Sequence, residues 1–232
     1  MRDDIDGSFW DAGVRWTPNP RVQVDLGYGE RFFGDAPRAA VRYQHKRVEL
    51  TASYTRTLSL PRNLRAVTQF EDPDDIFGPD PDGLPGDPLA PGGQPTFLGD
   101  GPLLNERFTV GWRFNARRTN FSLTGSDSRQ ERTDDGAEAT FSALTFTATR
   151  DLGRSLSATG RLGWNQREGR GESVSAFGEE SRGWRGGLGL TRGLGRHTSV
   201  SLAYEYVTRE SDFELNDYDE SRVILTLRHE FL

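Results

Sequence analysis

Three histidines, His45, His197 and His229, are the side chains of this 232-residue sequence best suited to proton transfer near neutrality. Each falls beside a turn, and no serine or paired carboxylate is spaced to work with one. Cysteine is absent, which removes thiol nucleophiles, thiolate metal sites and disulfides together. A second candidate chemistry is oxygen ligation of Ca²⁺ by Asp72, Asp74, Asp75, Asp80 and Asp82 in "EDPDDIFGPDPDGLPGDP". Their spacing does not match the EF-hand loop, and the interleaved prolines signal turns first. Loose cation bridging is the stronger expectation. The reading is of a protein that is not an enzyme, with no cofactor and no defined metal site.

Arginine is the more informative residue. Lys46 is the sole lysine in a Lys-plus-Arg total of 29. Such a bias reflects either genomic composition or a demand for rigid, permanently charged forks in a polar interior. Net charge is −6 and the pI near 5.2, which argues against a nucleic-acid partner. Only 34% of residues are hydrophobic and mean hydropathy is −0.69, so a conventional core would be thin. No apolar run of helical membrane-spanning length occurs, and "MRDDIDGSF" lacks the pattern of a secretory signal.

The elements that position these arginines alternate with period two. In "WDAGVRWTPNPRVQVDLGYGERFFG", residues 10–34, Trp10, Ala12, Val14 and Trp16 share one face. After Pro-Asn-Pro, Val22, Val24, Leu26 and Tyr28 do the same. The pattern continues through 39–54, 108–123, 156–164, 184–206 and 223–231. Residues 137–150 switch phase between Ala143 and Leu144, which suggests a bulge or a misassigned strand. About eleven strands are visible, most of 9–11 residues, the length that crosses a bilayer when tilted. Short turns near 18–21, 45–46, 116–118, 151–154 and 193–196 alternate with longer connections at 29–37, 59–105, 126–137, 166–182 and 209–220.

These features predict an all-β, antiparallel up-and-down transmembrane barrel in a bacterial outer membrane, with short periplasmic turns and long outer loops. Its apolar face would meet lipid. The opposite face would line a lumen with Arg15, Arg21, Asp25, Arg42, Glu49, Arg107, Arg113, Arg161, Arg185, Glu205, Arg222 and Arg228. Trp16, Phe114 and Phe231 would mark the periplasmic interface, and Trp10, Tyr54, Phe108, Trp164, Trp184 and Tyr206 the outer one. A soluble β-sandwich is the alternative that alternation alone permits. Strand length, alternating loop length and aromatics at strand ends weigh against it.

The barrel is expected to occupy residues 1–232 as the C-terminal portion of a longer protein, with 59–105 as a surface loop or plug holding nine of the twelve prolines. A descending last strand makes the first of eleven descend too. An upstream strand, to give 12 or more in the intact protein, and a missing signal peptide are therefore expected; a strand count off by one within 137–150 is the alternative.

The stretch carrying Trp10, Gly13, Trp16-Thr17-Pro18, Pro20-Arg21, Gly27-Tyr28-Gly29 and Glu30-Arg31-Phe32-Phe33-Gly34 resembles the outer-membrane β-barrel family associated with the PEP-CTERM/exosortase system of Gram-negative bacteria. The resemblance covers about the first quarter of the chain and implies an outer-membrane location linked to exopolysaccharide and surface-protein export. It supplies no catalytic residues. Physically, Glu30, Arg31, Phe32, Phe33 and Gly34 read as a hairpin cap at the outer rim. Partners expected are membrane lipid and lipopolysaccharide, with anionic polysaccharide or export-machinery proteins beyond them. An open pore and a closed scaffold both fit. Leu202→Arg is expected to cost about 2–4 kcal/mol on a lipid-facing surface, and Ser201→Arg to be tolerated, with resistance to heat unfolding as the measurement.

Overall fold

A computed structural model describes residues 9–31, 33–59, 103–133, 136–170, 180–195, 197–212 and 217–229. The strands are β1 (Trp10–Asn19), β2 (Val22–Arg31), β3 (Gly34–Asp35), β4 (Arg38–His45), β5 (Val48–Ser59), β6 (Leu103–Asn115), β7 (Thr119–Arg132), β8 (Glu138–Asp151), β9 (Leu156–Arg170), β10 (Glu180–Gly193), β11 (Thr198–Ser211) and β12 (Tyr218–His229). All belong to one antiparallel sheet. Apart from the two-residue β3, which folds back on β2, each strand pairs with the next in chain order. Eleven long strands thus stand where alternation placed them. A sandwich needs two sheets face to face, and the described residues form one. Among them β1 and β12 do not pair, so the sheet is open.

Burial shows which face is inside. Leu188, Val223, Leu225 and Leu227 are about 70% exposed, whereas Gln130 and Glu205 on the other face are 1% exposed. The sheet curves around its polar side. Leaving each large aliphatic side chain in water forgoes roughly 1.5–3 kcal/mol, so a band of them around the sheet is a surface for hydrocarbon. Close to the short turns this band carries a row of stacked rings: Trp112–Phe114, Phe114–Phe121 and Phe121–Phe146, with centroids 6.2–6.4 Å apart. Phe231 lies outside the described residues.

The band runs obliquely to the hydrogen-bonded rows. One row passes from Tyr54 and Phe108 through Asp127, Ser142, Gln166 and Arg182 to Glu210. Tyr206, the highest apolar residue facing outward on β11, is level instead with Leu50, four residues below Tyr54 on β5. A flat slab of apolar surface crosses the rows this way only if the strands tilt against it, the stagger that barrel walls require.

Two sequence expectations are corrected. The supposed phase fault at 137–150 is no bulge: β8 pairs without interruption with β7 and β9 from Glu138 to Asp151. Ala139, Phe141 and Ala143 lie on the inner face and Leu144, Phe146 and Ala148 on the outer, so the apolar side changes partway up one regular strand. With Leu103 and Ala137, Ala139 and Phe141 form a small apolar cluster on the inner face.

Several connections are also shorter than expected, because β6–β11 run to 13–15 residues. The links between β7 and β8, β9 and β10, and β11 and β12 shrink to 133–137, 171–179 and 212–217. β6 begins at Leu103, within the expected loop, while 60–102 and its aspartates lie outside the described residues. On β7 and β9–β11 the added segments are polar on both faces, so no alternation marks them, whereas β6 adds Leu103 and Leu104. Outward positions at this end of the sheet pair Arg56 with Glu106 at 3.1 Å, Arg129 with Glu138 at 2.7 Å and Arg182 with Glu180 at 2.6 Å, forming a charged collar beyond the apolar band.

Ser201 proves a poor control for a lipid-face test, being 7% exposed with its Oγ 3.0 Å from Thr191 Oγ1. Thr124, exposed on the inner face of β7, replaces it. Leu202→Arg should cost about 2–4 kcal/mol near mid-membrane and Thr124→Arg less than 1 kcal/mol, measured by denaturant unfolding of the refolded protein in lipid vesicles. Equal costs would contradict the face assignment.

Candidate functional site

The inner face is polar because every second residue on each strand is polar, and register decides which of them meet. The register places Arg15, Asp25, Arg42, Glu49, Arg107, Arg113, Arg161, Arg185, Glu205, Arg222 and Arg228 on this face. Arg21 is corrected: it sits in the turn between β1 and β2, where its backbone N–H donates to Asn19 Oδ1 at 2.9 Å. A residue in a two-residue turn has no strand face. The histidines do fall at the short-turn end, where Thr198 Oγ1 and His229 Nδ1 are 2.8 Å apart.

Two halves of the face differ in charge. On β1–β5 acids and bases nearly balance: Arg15 Nε donates to Asp25 Oδ1 at 2.5 Å, Arg38 Nη2 donates to Asp11 Oδ1 at 2.6 Å, Arg42 lies 2.7 Å from Glu49, and Arg31 is the one base in excess, 3.9 Å from Asp11. On β6–β12 arginine predominates. Arg107, Arg113, Arg132, Arg161, Arg167, Arg185, Arg209, Arg222 and Arg228 face inward there against Asp151, Glu205 and Glu220. Sequence reading missed Arg38, Asp11, Arg132, Arg167 and Arg209. Arg132, Arg167 and Arg209 sit on the strand extensions, where the alternation that would assign them a face has faded.

Glycines set how far the arginines reach. Arg38 on β4 pairs with Asp11 on β1, and β2 stands between them. At the crossing β2 has Gly27, directly opposite both Arg38 and Gly13. A Cβ on Gly27 would collide with the Arg38 side chain, and one on Gly13 would come within 3.2 Å of Arg38 Nη2. A guanidinium therefore bridges a whole strand through two glycines. Gly29 is needed for a different reason, since its Cβ would lie 2.6 Å from the Trp10 carbonyl oxygen.

The Glu30-to-Gly34 segment is a tight cap. Glu30 pairs with Asp35 and Arg31 with Gly34, whose φ of +97° is the left-handed region that glycine tolerates. Trp10 Nε1 donates to Glu30 Oε2 at 3.3 Å, Arg31 lies 3.9 Å from Asp11, and Tyr28 Oη donates to Asp35 Oδ1 at 2.6 Å. Phe32 is outside the described residues. These contacts tie the hairpin to β1, as a structural cap does.

On β9–β12 the arginines gather around one acid. Glu205 Oε2 accepts from Arg222 Nε at 2.7 Å, and Glu205 Oε1 lies 3.6 Å from Arg185 Nε. Arg161 is level with Glu205, separated by Gly187 on β10. Above them the Arg167 guanidinium stands 5.7 Å from the centre of the Phe141 ring. Among the described residues no group of histidines, cysteines and carboxylates is arranged to hold a metal ion. The arrangement supplies fixed positive charge with forked donors, which is chemistry for attracting and orienting oxoanions.

Comparison with known proteins agrees with this architecture. Residues 104–231 match the model of the family described as "Putative beta-barrel porin 2". Similar solved structures include the outer membrane channel DcaP of Acinetobacter baumannii (TM-score 0.56, 11% identity, covering 95% of this chain and 62% of that one). A loop L8 deletion mutant of OmpT, an outer membrane protein of Vibrio cholerae, has TM-score 0.54 at 12% identity, covering 94% of this chain and 62% of that one. An anion-selective porin from Comamonas acidovorans has TM-score 0.52 at 11% identity, covering 94% and 58%. The chain therefore spans about six-tenths of the length of these structures. No curated protein matches it.

Gly27→Val should destabilise the sheet by about 1–3 kcal/mol through overlap with Arg38. Adding Arg38→Ala to the same chain should recover most of that loss, read as the temperature at which the folded band disappears on a gel. Additive losses in the double variant would show that Gly27 does not serve the Arg38 crossing.

Proposed function

Given that the chain belongs to this β-barrel porin family of the outer membrane, we propose that it forms an anion-preferring pore serving exopolysaccharide or PEP-CTERM surface-protein export. The observation that carries the first half is the preponderance of arginine on the inner face of β6–β12. Fixed positive charge on a low-dielectric wall concentrates anions and lowers their entry barrier, while the matched pairs on β1–β5 add little field. One side of the wall attracts; the other is nearly neutral. Motion of an anion along it requires no chemistry beyond this, so no catalytic residue is assigned.

The export role rests on the resemblance of the motif at residues 10–34 to the PEP-CTERM-associated outer-membrane family. An acidic exopolysaccharide is the solute such a wall would favour. Lipid and lipopolysaccharide would contact the apolar band and the charged collar above it, and export-machinery proteins would meet the rim.

A second reading, a non-conducting scaffold, is favoured by one observation. Gln130 and Glu205, both on the inner face, are only 1% exposed, so the interior is filled at those points. Conductance in planar bilayers separates the two. Steady current with chloride more permeant than potassium is expected, and Arg113→Glu, an exposed change on the inner face, should lower the anion preference severalfold while the protein stays heat-resistant. A folded but silent protein would favour the scaffold.

A further inference from the structure

Glu205 is buried to 1% exposure between Arg185, whose side chain is 6% exposed, and Arg222, at 20%. An isolated carboxylate would be costly there, and the two guanidiniums compensate it. One acid between two arginines still leaves net positive charge, and Arg161 is level with it across Gly187. Viewed as chemistry, two guanidiniums flank one carboxylate group, Arg222 donating a hydrogen bond to one oxygen and Arg185 standing 3.6 Å from the other. That is an oxoanion receptor whose ligand belongs to the chain itself.

A pore has particular use for such an arrangement. Arginine forks hold carboxylate, sulfate and phosphate tightly when nothing competes, and a solute held tightly does not pass. A built-in carboxylate meets the arginines' first demand and leaves only residual attraction for whatever moves along the wall. We propose that Glu205 is the specificity-determining residue of this wall: an internal oxoanion that occupies the Arg185–Arg222 site and keeps it from retaining the oxoanion groups of solutes. The site stands on its own geometry, while its role in passage rests on the pore reading above.

Removing the side chain and returning the carboxylate from solution tests the site. The full chain carrying Glu205→Ala is compared with the unaltered protein and Glu205→Gln in acetate and in chloride of equal ionic strength, following the temperature at which the folded band is lost. The alanine variant should melt lower in chloride and regain at least half of the lost interval in acetate. The other two should respond alike to both salts, since their side chains fill the space. No acetate-specific recovery, or a Glu205→Ala protein as stable as the unaltered one, overturns the site. If Glu205→Ala folds only when refolded in acetate, the site is supported; folding in neither salt overturns it.

Bilayer recordings of Glu205→Ala, the variant that leaves the site open, test the role. Its chloride current should be blocked by added sulfate or by oligogalacturonate at concentrations that leave the unaltered pore open. Block by sulfate assigns the site to free oxoanions and block by oligogalacturonate alone to acidic groups of a chain, and either supports the proposal. A conducting variant blocked by neither overturns it. Acetate recovery in a protein that never conducts would instead retire the pore reading and leave the oxoanion site standing.

Discussion

Hydrocarbon offers no hydrogen bonds, and this constraint governs every other feature of the sheet. Backbone N–H and C=O groups within the apolar band must be paired inside the protein, which the strands between β1 and β12 achieve by bonding to neighbours on both sides. Once strands are chosen, side chains must alternate between faces. The apolar set goes outward to lipid, and the polar set has nowhere to go but inward. The low hydrophobic content of the chain is therefore no sign of weak folding. A thin apolar shell suffices because lipid takes the place of a core.

The inward crowd of arginines then has to be accommodated on a curved surface. Long side chains need room, and glycine supplies it: Arg38 crosses β2 over Gly27 to reach Asp11, and Gly187 separates Arg161 from Glu205. In a soluble strand such glycines would weaken the element. Here Gly27 and Gly13 remove side chains where Arg38 must lie, so glycine and arginine act there as complementary shapes. Exposed single pairs contribute little to stability; their effect is to fix where charge sits.

Charge placement gives the inner face a direction. Acids nearly neutralise the arginines on β1–β5, whereas β6–β12 retain a surplus. Around Glu205 that surplus is moderated by a carboxylate too buried to be exchanged for solvent. The outer face has its own division, from aromatic rings beside the short turns to the ion-paired collar where strands outrun the apolar band. Strand tilt connects these features, since it carries each strand's apolar segment to the common membrane level while the hydrogen-bonded rows climb across it.

By itself the sequence determined the strand number, the face of nearly every residue in the apolar band and the positions of the tight turns. These are local properties: period two, and turn residues such as those flanking Asn19 and Lys46, need no knowledge of distant partners. Where alternation ended, so did legibility. The extensions of β7 and β9–β11 carry no phase because they are polar on both faces, so Arg132, Arg167 and Arg209 are legible only in the structure. Spacing alone puts Arg21 on the inner face, but a turn residue has no strand face. Tertiary structure decided register, and with it that Arg38 meets Asp11, that Arg185 and Arg222 close on Glu205, and that β8 keeps one phase throughout. Such pairings join residues on different strands, and only the long-range hydrogen-bonded ladder sets which of them stand opposite each other.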